Sequence, residues 1–317
     1  MSDSNTNSFS TVPSARETVI CTLFEGNYHF GVGALVNSLY AWGYRGVIYA
    51  GYRGALPPWS KGQEVFSAAK DLEIRFLKTE TQVHFTFCKA AILQRVLDTE
   101  APEASAVVYV DPDIVLNCRW EVIRDWVEDR VALCQDVNWN CHRSHPLRRD
   151  WDRHLNPHGI YPRHETDYYF NAGFIGVARS QRAFINSLQQ VIDVMITLSG
   201  NGQSLEHQDQ SYCFHKGDQD ALNITADIFP EKISAMGPEA MDFVPGGHTM
   251  SHAVGSLKPW QNAFMKSAFD GRAPSKADKL FFDHVSAPIA LFTSEELASK
   301  RLQLRVAAAI GRLIRRS

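Results

Sequence analysis

Asp111 and Asp113 stand one proline apart in the stretch VVYVDPDIVLN, residues 107–117. Like charges this close cost free energy unless a cation lies between them, and a carboxylate pair supplies the hard oxygen ligands of a divalent ion. A solvated turn after a strand would use the same residues, since Asp and Pro are common there. Far downstream, SHAVGSLKPW (251–260) adds three useful types. His252 is an imidazole suited to manganese-type ions, Lys258 a point charge for phosphate, and Gly255 a position where backbone can approach a ligand. Alone, such a histidine is more often a hydrogen-bonded core residue.

Two further stretches break local rules. In YFNAGFIG (169–176), Asn171, Ala172 and Gly173 interrupt an otherwise apolar strand. Such a break marks a site, or else a bulge held by the Asn side chain. In Asp218-Gln219-Asp220, followed by Ala221-Leu222-Asn223, the side chains can reach sugar hydroxyls, and a carboxylate can stabilise an oxocarbenium-like centre. Asp at the first turn of a helix is also favoured by capping and by the dipole. Nearby HQDQS (207–211) offers Asp209 and Gln210 for the same task.

The elements that must position these residues alternate. TVICTL (18–23), GVIYAG (46–51), EIRFL (73–77), AVVYV (106–110), VALCQD (131–136) and YYFNAGFIGVA (168–178) read as strands. Helical spacing is expected in 29–42, 61–72, 84–99 and 179–196. This order predicts an α/β fold, a doubly wound, mostly parallel mixed sheet flanked by helices, in which ligands gather at the carboxyl ends of strands. Asp111 and Asp113 follow such an end.

With 317 residues, 44% hydrophobic and 21% charged, and a formal net charge of −3, the chain is long enough for one large domain and offers no global basic surface for nucleic acid. Residues 1–17 are polar, lack an apolar signal segment and are expected to be a disordered lead-in to a domain spanning 18–290. Cys21, Cys88, Cys118, Cys134, Cys141 and Cys213 form no CxxC pairs, which predicts a reducing, cytoplasmic setting and no structural zinc. Residues 137–166, rich in Trp, His, Arg and Pro, are expected to form an irregular acceptor-facing loop or lid. There Trp139, Trp151 and Tyr161 either stack on sugars or pack the loop down. Zinc held by Cys134, Cys141, His142 and His145 is the rival reading, on a non-standard spacing.

The last segment, 291–317, changes character. After Glu296 it carries six Lys or Arg and no acid. On a helix, Leu302, Val306, Ile310 and Leu313 share one face and Arg301, Arg305, Arg312 and Arg316 another. That pattern fits a basic helix peripheral on an anionic membrane, at its inner face, or a docked helix with its arginines in solvent.

Taken in order, VYVDPD, YFNAGF, DQDALN and the spacing of His252, Gly255, Lys258, Pro259 and Trp260 resemble the retaining glycosyltransferases of family 8. These have the GT-A fold and include lipopolysaccharide galactosyltransferases and glycogenins. The resemblance covers residues 18–260 and implies a metal-dependent hexosyltransferase. The donor would be a UDP-sugar, the ion manganese with magnesium as the alternative, and the acceptor a glycan, a lipid-linked molecule or another hydroxyl. It implies that Asp111, Asp113 and His252 hold the ion and that Lys258 and Gly255 clamp the diphosphate. It places Asn27 and Tyr28 by the uridine, where the family's preceding aspartate is replaced by Glu25-Gly26. Lys89 would bridge donor and metal, and Asn171, Ala172 and Gly173 would contact the donor sugar. Asp218, Gln219 and Asp220 would flank the anomeric carbon, preferred over Asp209 because Ala221-Leu222-Asn223 completes the motif. Retention through a covalent sugar or by same-face attack stays open, as do two rival functions. A nucleotidyltransferase is disfavoured because TLFEGNYHFG lacks Lys and Arg. A non-catalytic sugar-nucleotide-binding protein is disfavoured by the intact DQD.

Overall fold

The computed structural model describes residues 18–139, 141–200, 202–204, 206–209 and 211–314. The expected lead-in at 1–17, Gln210 and Arg316 lie outside these residues. β1 (Thr18–Glu25) is the spine. Val19, Cys21 and Leu23 enter one hydrophobic core, and Ile20 and Phe24 enter another across the sheet. A strand buried on both faces reads as an unbroken apolar run. α1 (His29–Ala41) returns to β2 (Gly46–Arg53).

The next segment departs from expectation. KGQEVFSAAKDL (61–72), read as helical, forms β3 (Val65–Ala69) and a tight turn into β4 (Leu72–Lys78), the pair running antiparallel. Lys61 and Gly62 both have positive φ, which stops a helix before it starts. Beyond them period two wins: Val65 is exposed while Phe66 turns in against Trp59.

The expected helix over 84–99 is divided. A 3-10 turn (Phe85–Cys88) precedes α2 (Lys89–Arg95), and a π turn (Val96–Glu100) follows. Lys89 thus opens α2. β5 (Ala106–Val110), short β6 (Ile114–Leu116), α3 (Trp120–Val127) and β7 (Val131–Gln135) come next. The supposedly irregular 137–166 contains α4 (Pro146–Leu155), started by Pro146 and capped by the His145 ring. It is pinned by fully buried Arg148, which donates to the carbonyls of Cys141, Thr166 and Tyr168. Trp151 is buried as well, its Nε1 2.7 Å from the Cys213 carbonyl, so it packs the segment down and is closed to a sugar. β8 (Phe170–Ala178), α5 (Arg182–Ser199), α6 (Asp218–Ile228), β9 (Ile233–Met236), β10 (Met250–His252), α7 (Phe264–Phe269), α8 (Lys276–Asp283) and α9 (Ser294–Leu313) complete the chain.

The main sheet has the order β3-β4-β2-β1-β5-β8-β7-β9. β4, β2, β1 and β5 are parallel; β8 is antiparallel to both β5 and β7, and β9 is parallel to β7. A separate two-stranded pair, β6 with β10, places His252 opposite Ile114. α9 docks on the domain through Leu304, Ala307 and Gly311, so the docked reading of 291–317 describes its inner face. No described helix is long and apolar enough to cross a membrane.

Candidate active site

A cleft of about 660 Å³ opens at the carboxyl ends of β1 and β5, and Asp111, Asp113, His252, Gly255 and Lys258 all line it. The β6–β10 pairing explains how residues so distant in sequence meet: it sets His252 beside the Asp113 that precedes Ile114. His252 Nε2 lies 3.3 Å from Asp113 Oδ1, and Lys258 Nζ lies 2.6 Å from Asp113 Oδ2. Burial works against the ionised form of Asp113, but His252 and Lys258 outweigh it and hold its pKa well below the usual carboxylate range. The turn itself is braced from behind: a Cβ on Gly31 of α1 would sit 2.1 Å from the Pro112 carbonyl oxygen.

These residues fit a hard divalent cation. The ligand atoms of Asp111, Asp113 and His252 lie within 4.8 Å of one another, and the buried Nδ1 of His252 has no hydrogen-bond partner. Among the described residues no other His, Cys, Asp and Glu group of this kind occurs, and Cys134, Cys141, His142 and His145 are not gathered in one.

Beyond Asp111 lies a second polar layer. Lys89, 3% exposed, sits 3.1 Å from Asp111 Oδ1 and 2.9 Å from Asp218 Oδ2 and donates at 2.8 Å to the Ala172 carbonyl. Burial opposes its charge, yet the two carboxylates raise its pKa further. Asp218 is pushed up by burial, with Lys89 opposing. The Tyr109 hydroxyl donates at 2.6 Å to Asp111 Oδ1.

The bulge reading of YFNAGF is the one the backbone displays. Pairing of β7 with β8 jumps from Leu133–Ile175 to Cys134–Asn171, so Ala172, Gly173 and Phe174 bulge toward β5. Asn171 holds the bulge by accepting from the Gly173 N–H at 2.9 Å, while its amide donates at 2.8 Å to Asp136 Oδ2. Gln219 donates to the same oxygen at 3.1 Å. Asp136, which the sequence did not single out, is therefore the hub that joins the end of β7 to β8 and α6. The signal for it was present: like Asp111, it follows the carboxyl end of a strand.

The DQD stretch is divided by its own helix start. Asp218 and Gln219 join the layers just described, whereas Asp220 is 3% exposed and lies apart. Its oxygens accept from the Tyr169 hydroxyl and the Lys216 N–H, both at 2.7 Å. Burial, only partly offset by these bonds, pushes its pKa up to about 7. Asp209 is exposed and closes a local turn with Ser211. At the other end of the cleft the lining residues are Glu25, Tyr28, His84, Phe85 and Thr86, while Asn27 is exposed on the turn before α1. Arg53 ties Glu25 at 2.6 Å.

No family model and no curated protein matches the chain. Solved structures do. WbbM, a bifunctional glycosyltransferase, superposes with a TM-score of 0.54 at 19% identity, over 90% of this chain and 52% of its own. The glycosyltransferase GlyE of Streptococcus pneumoniae TIGR4 gives 0.53 at 14%, over 92% and 64%. An active-site mutant of LgtC gives 0.56 at 13%, over 89% and 99%. The chain has the GT-A fold. It spans about half the length of WbbM and just under two thirds of GlyE, so the likeness is one of domain architecture.

Proposed function

We propose that this GT-A chain is a divalent-metal-dependent, retaining glycosyltransferase that moves a hexose from a UDP-sugar to a hydroxyl of a glycan or lipid-linked acceptor. The observation that carries the reading is the gathering of Asp111, Asp113 and His252, with Lys258 and Gly255, in one cleft at the sheet's carboxyl edge. Asp111, Asp113 and His252 would hold manganese or magnesium, which when bound supplies positive charge against the donor diphosphate.

The rest is the work of this chain's side chains. Breaking a sugar–phosphate bond builds negative charge on the departing diphosphate, and Lys258 is placed to stabilise it as it develops. Gly255, at φ +100°, keeps that wall of the cleft free of a side chain. Lys89 fixes Asp111 and Asp218 relative to each other. Asp136 orients the amides of Asn171 and Gln219, which can face the sugar's hydroxyls and its oxocarbenium-like ring. Both Asp220 oxygens accept bonds, from Tyr169 and Lys216, and Asp218 Oδ2 is paired with Lys89, which argues against a covalent sugar on Asp220 above all. That supports attack on the face the diphosphate leaves.

The test is UDP-sugar hydrolysis and transfer with and without manganese, in the wild type and in Asp113→Asn. Metal-stimulated turnover that collapses in the variant is expected; unchanged turnover would sink the assignment. A nucleotidyltransferase would instead release pyrophosphate from UTP and a sugar phosphate, and a binding protein would shift its melting temperature with UDP-sugar but turn nothing over.

A further inference from the structure

α9 has two apolar faces. Leu304, Ala307 and Gly311 face the domain, and Gly311 lies so close to Ala273 that a Cβ would sit 2.6 Å from the alanine's methyl. At 3.6 residues per turn, Leu302, Val306 and Leu313 fall on the opposite side. They are 63%, 39% and 87% exposed. Ile314, 41% exposed, follows at the helix end on the side of Ala307 and Gly311, and Phe269, 63% exposed, ends the neighbouring α7 that packs on α9. Gly271, two residues after Phe269, has its Cβ position 3.8 Å from the Ile314 carbonyl, so these side chains lie at one end of the packed pair. Scattered exposed apolar residues are ordinary, but a stripe along a helix already docked by its other face calls for an occupant.

Charge selects that occupant. Arg305 and Arg312 are exposed beside the stripe, Arg315 and Arg316 follow in the sequence, and no acid occurs after Glu296. Asp270, next to Phe269, is paired with Arg272 at 3.2 Å. Aliphatic side chains that can enter the acyl boundary, flanked by guanidinium groups at phosphate level, are the features of an interfacial helix. We propose that the outward face of α9, with Phe269, lies on an anionic bilayer surface while the inward face stays docked. The exposed loop residues Val254 and Leu257 line a groove with Phe264, Arg272 and Pro274, and Val254 also lines the cleft, so apolar surface continues from α7 to the cleft's lip.

Removing α9 would uncover core, so the test uses exposed positions in the full chain. Co-sedimentation is measured with vesicles of phosphatidylcholine alone and of phosphatidylcholine with phosphatidylglycerol, at low and high salt. Binding to the anionic vesicles only, weakened by salt, is expected. Arg305→Gln with Arg312→Gln should lower partitioning on the order of 10-fold or more, and Leu302→Glu with Leu313→Glu should abolish it. Both variants should keep the wild-type melting temperature and its shift with UDP and manganese. Absence of binding to anionic vesicles, or equal binding by wild type and both variants, overturns the proposal. So does a concentration-dependent dimer that the Leu variants dissolve, since a second copy would then be the occupant. None of these readouts depends on turnover, so the membrane proposal and the transferase reading fail separately.

Discussion

Tyr169 donates its hydroxyl proton to Asp220 across 2.7 Å, and this bond ties the start of α6 to the strand that carries Asn171. The pair is buried, and Asp220 has its pKa pushed up to about 7. Its unfolded value is near 3.9, so the folded chain binds the extra proton between those two values. Stability from Asp220 is then complete below about pH 4 and is lost as pH rises through 7. Asp220→Asn should remove this loss. The variant should gain on the wild type by on the order of 2–4 kcal/mol between pH 5 and pH 8, read by urea unfolding at both. A constant difference at the two pH values would mean that Asp220 is ionised throughout.

Lys89 is predicted to be a stability residue as well as a site residue. Its ammonium lies between two carboxylates and a carbonyl, with a side chain 4% exposed. Lys89→Met leaves Asp111 and Asp218 facing each other without a cation. The expected cost is about 3–5 kcal/mol at pH 8. It should be smaller at pH 5, because burial raises the pKa of Asp218 and protonation relieves the repulsion. Urea unfolding at the two pH values checks the sign.

Asp136 supports a prediction about catalysis. It accepts from both Asn171 and Gln219, and it is not among the residues lining the cleft. Asp136→Ala removes the acceptor that both amide NH2 groups share, leaving Asn171 held through its oxygen by the Gly173 N–H and Gln219 by long bonds of 3.4 Å. Turnover should fall roughly 100-fold through lost orientation, while the affinity for UDP with manganese stays within about 2-fold. Parallel loss of UDP binding in calorimetry would show that Asp136 acts on the nucleotide instead.

How far the sequence was legible follows from range. β1, β2, β4, β5, β7 and β8 were readable because each is an apolar run bounded by turn residues, a purely local signal. The hairpin of β3 with β4 was misread because AAK and EVF are helix-compatible by propensity; the positive φ of Lys61 and Gly62 and the docking of Phe66 on Trp59 decided it. Asp111, Asp113, His252 and Lys258 were legible through motif order, and the β6–β10 pairing supplies the physical link that the sequence does not display. Asp136 and Tyr109 were missed because their partners, Asn171 and Asp111, mark them only after folding. Asp220 was grouped with Asp218 and Gln219 by adjacency, yet successive residues at a helix start point in different directions. For α9 the docked alternative describes the inner face, where Leu304, Ala307 and Gly311 are buried, and the membrane alternative is a proposal about the outer one.

The last prediction concerns Gly173, where the bulge of β8 passes behind His252. A Cβ there would meet His252 Cε1 at 2.7 Å and Asn171 Oδ1 at 2.9 Å, both nearer than real Cβ contacts come. The imidazole is held on one side by Asp113 and cannot retreat without leaving the carboxylates. Asn171 is also fixed, by Asp136 and by its bond to the Gly173 N–H. Gly173→Ala should therefore displace His252 rather than be absorbed, and manganese affinity should fall roughly 10-fold or more, a loss on the scale of misplacing one ligand. Titration of manganese against the protein, followed by the electron-paramagnetic signal of the free ion, measures this without any donor or turnover. Wild-type affinity in Gly173→Ala would mean that His252 is not a ligand of the ion and that Asp111 and Asp113 hold it alone.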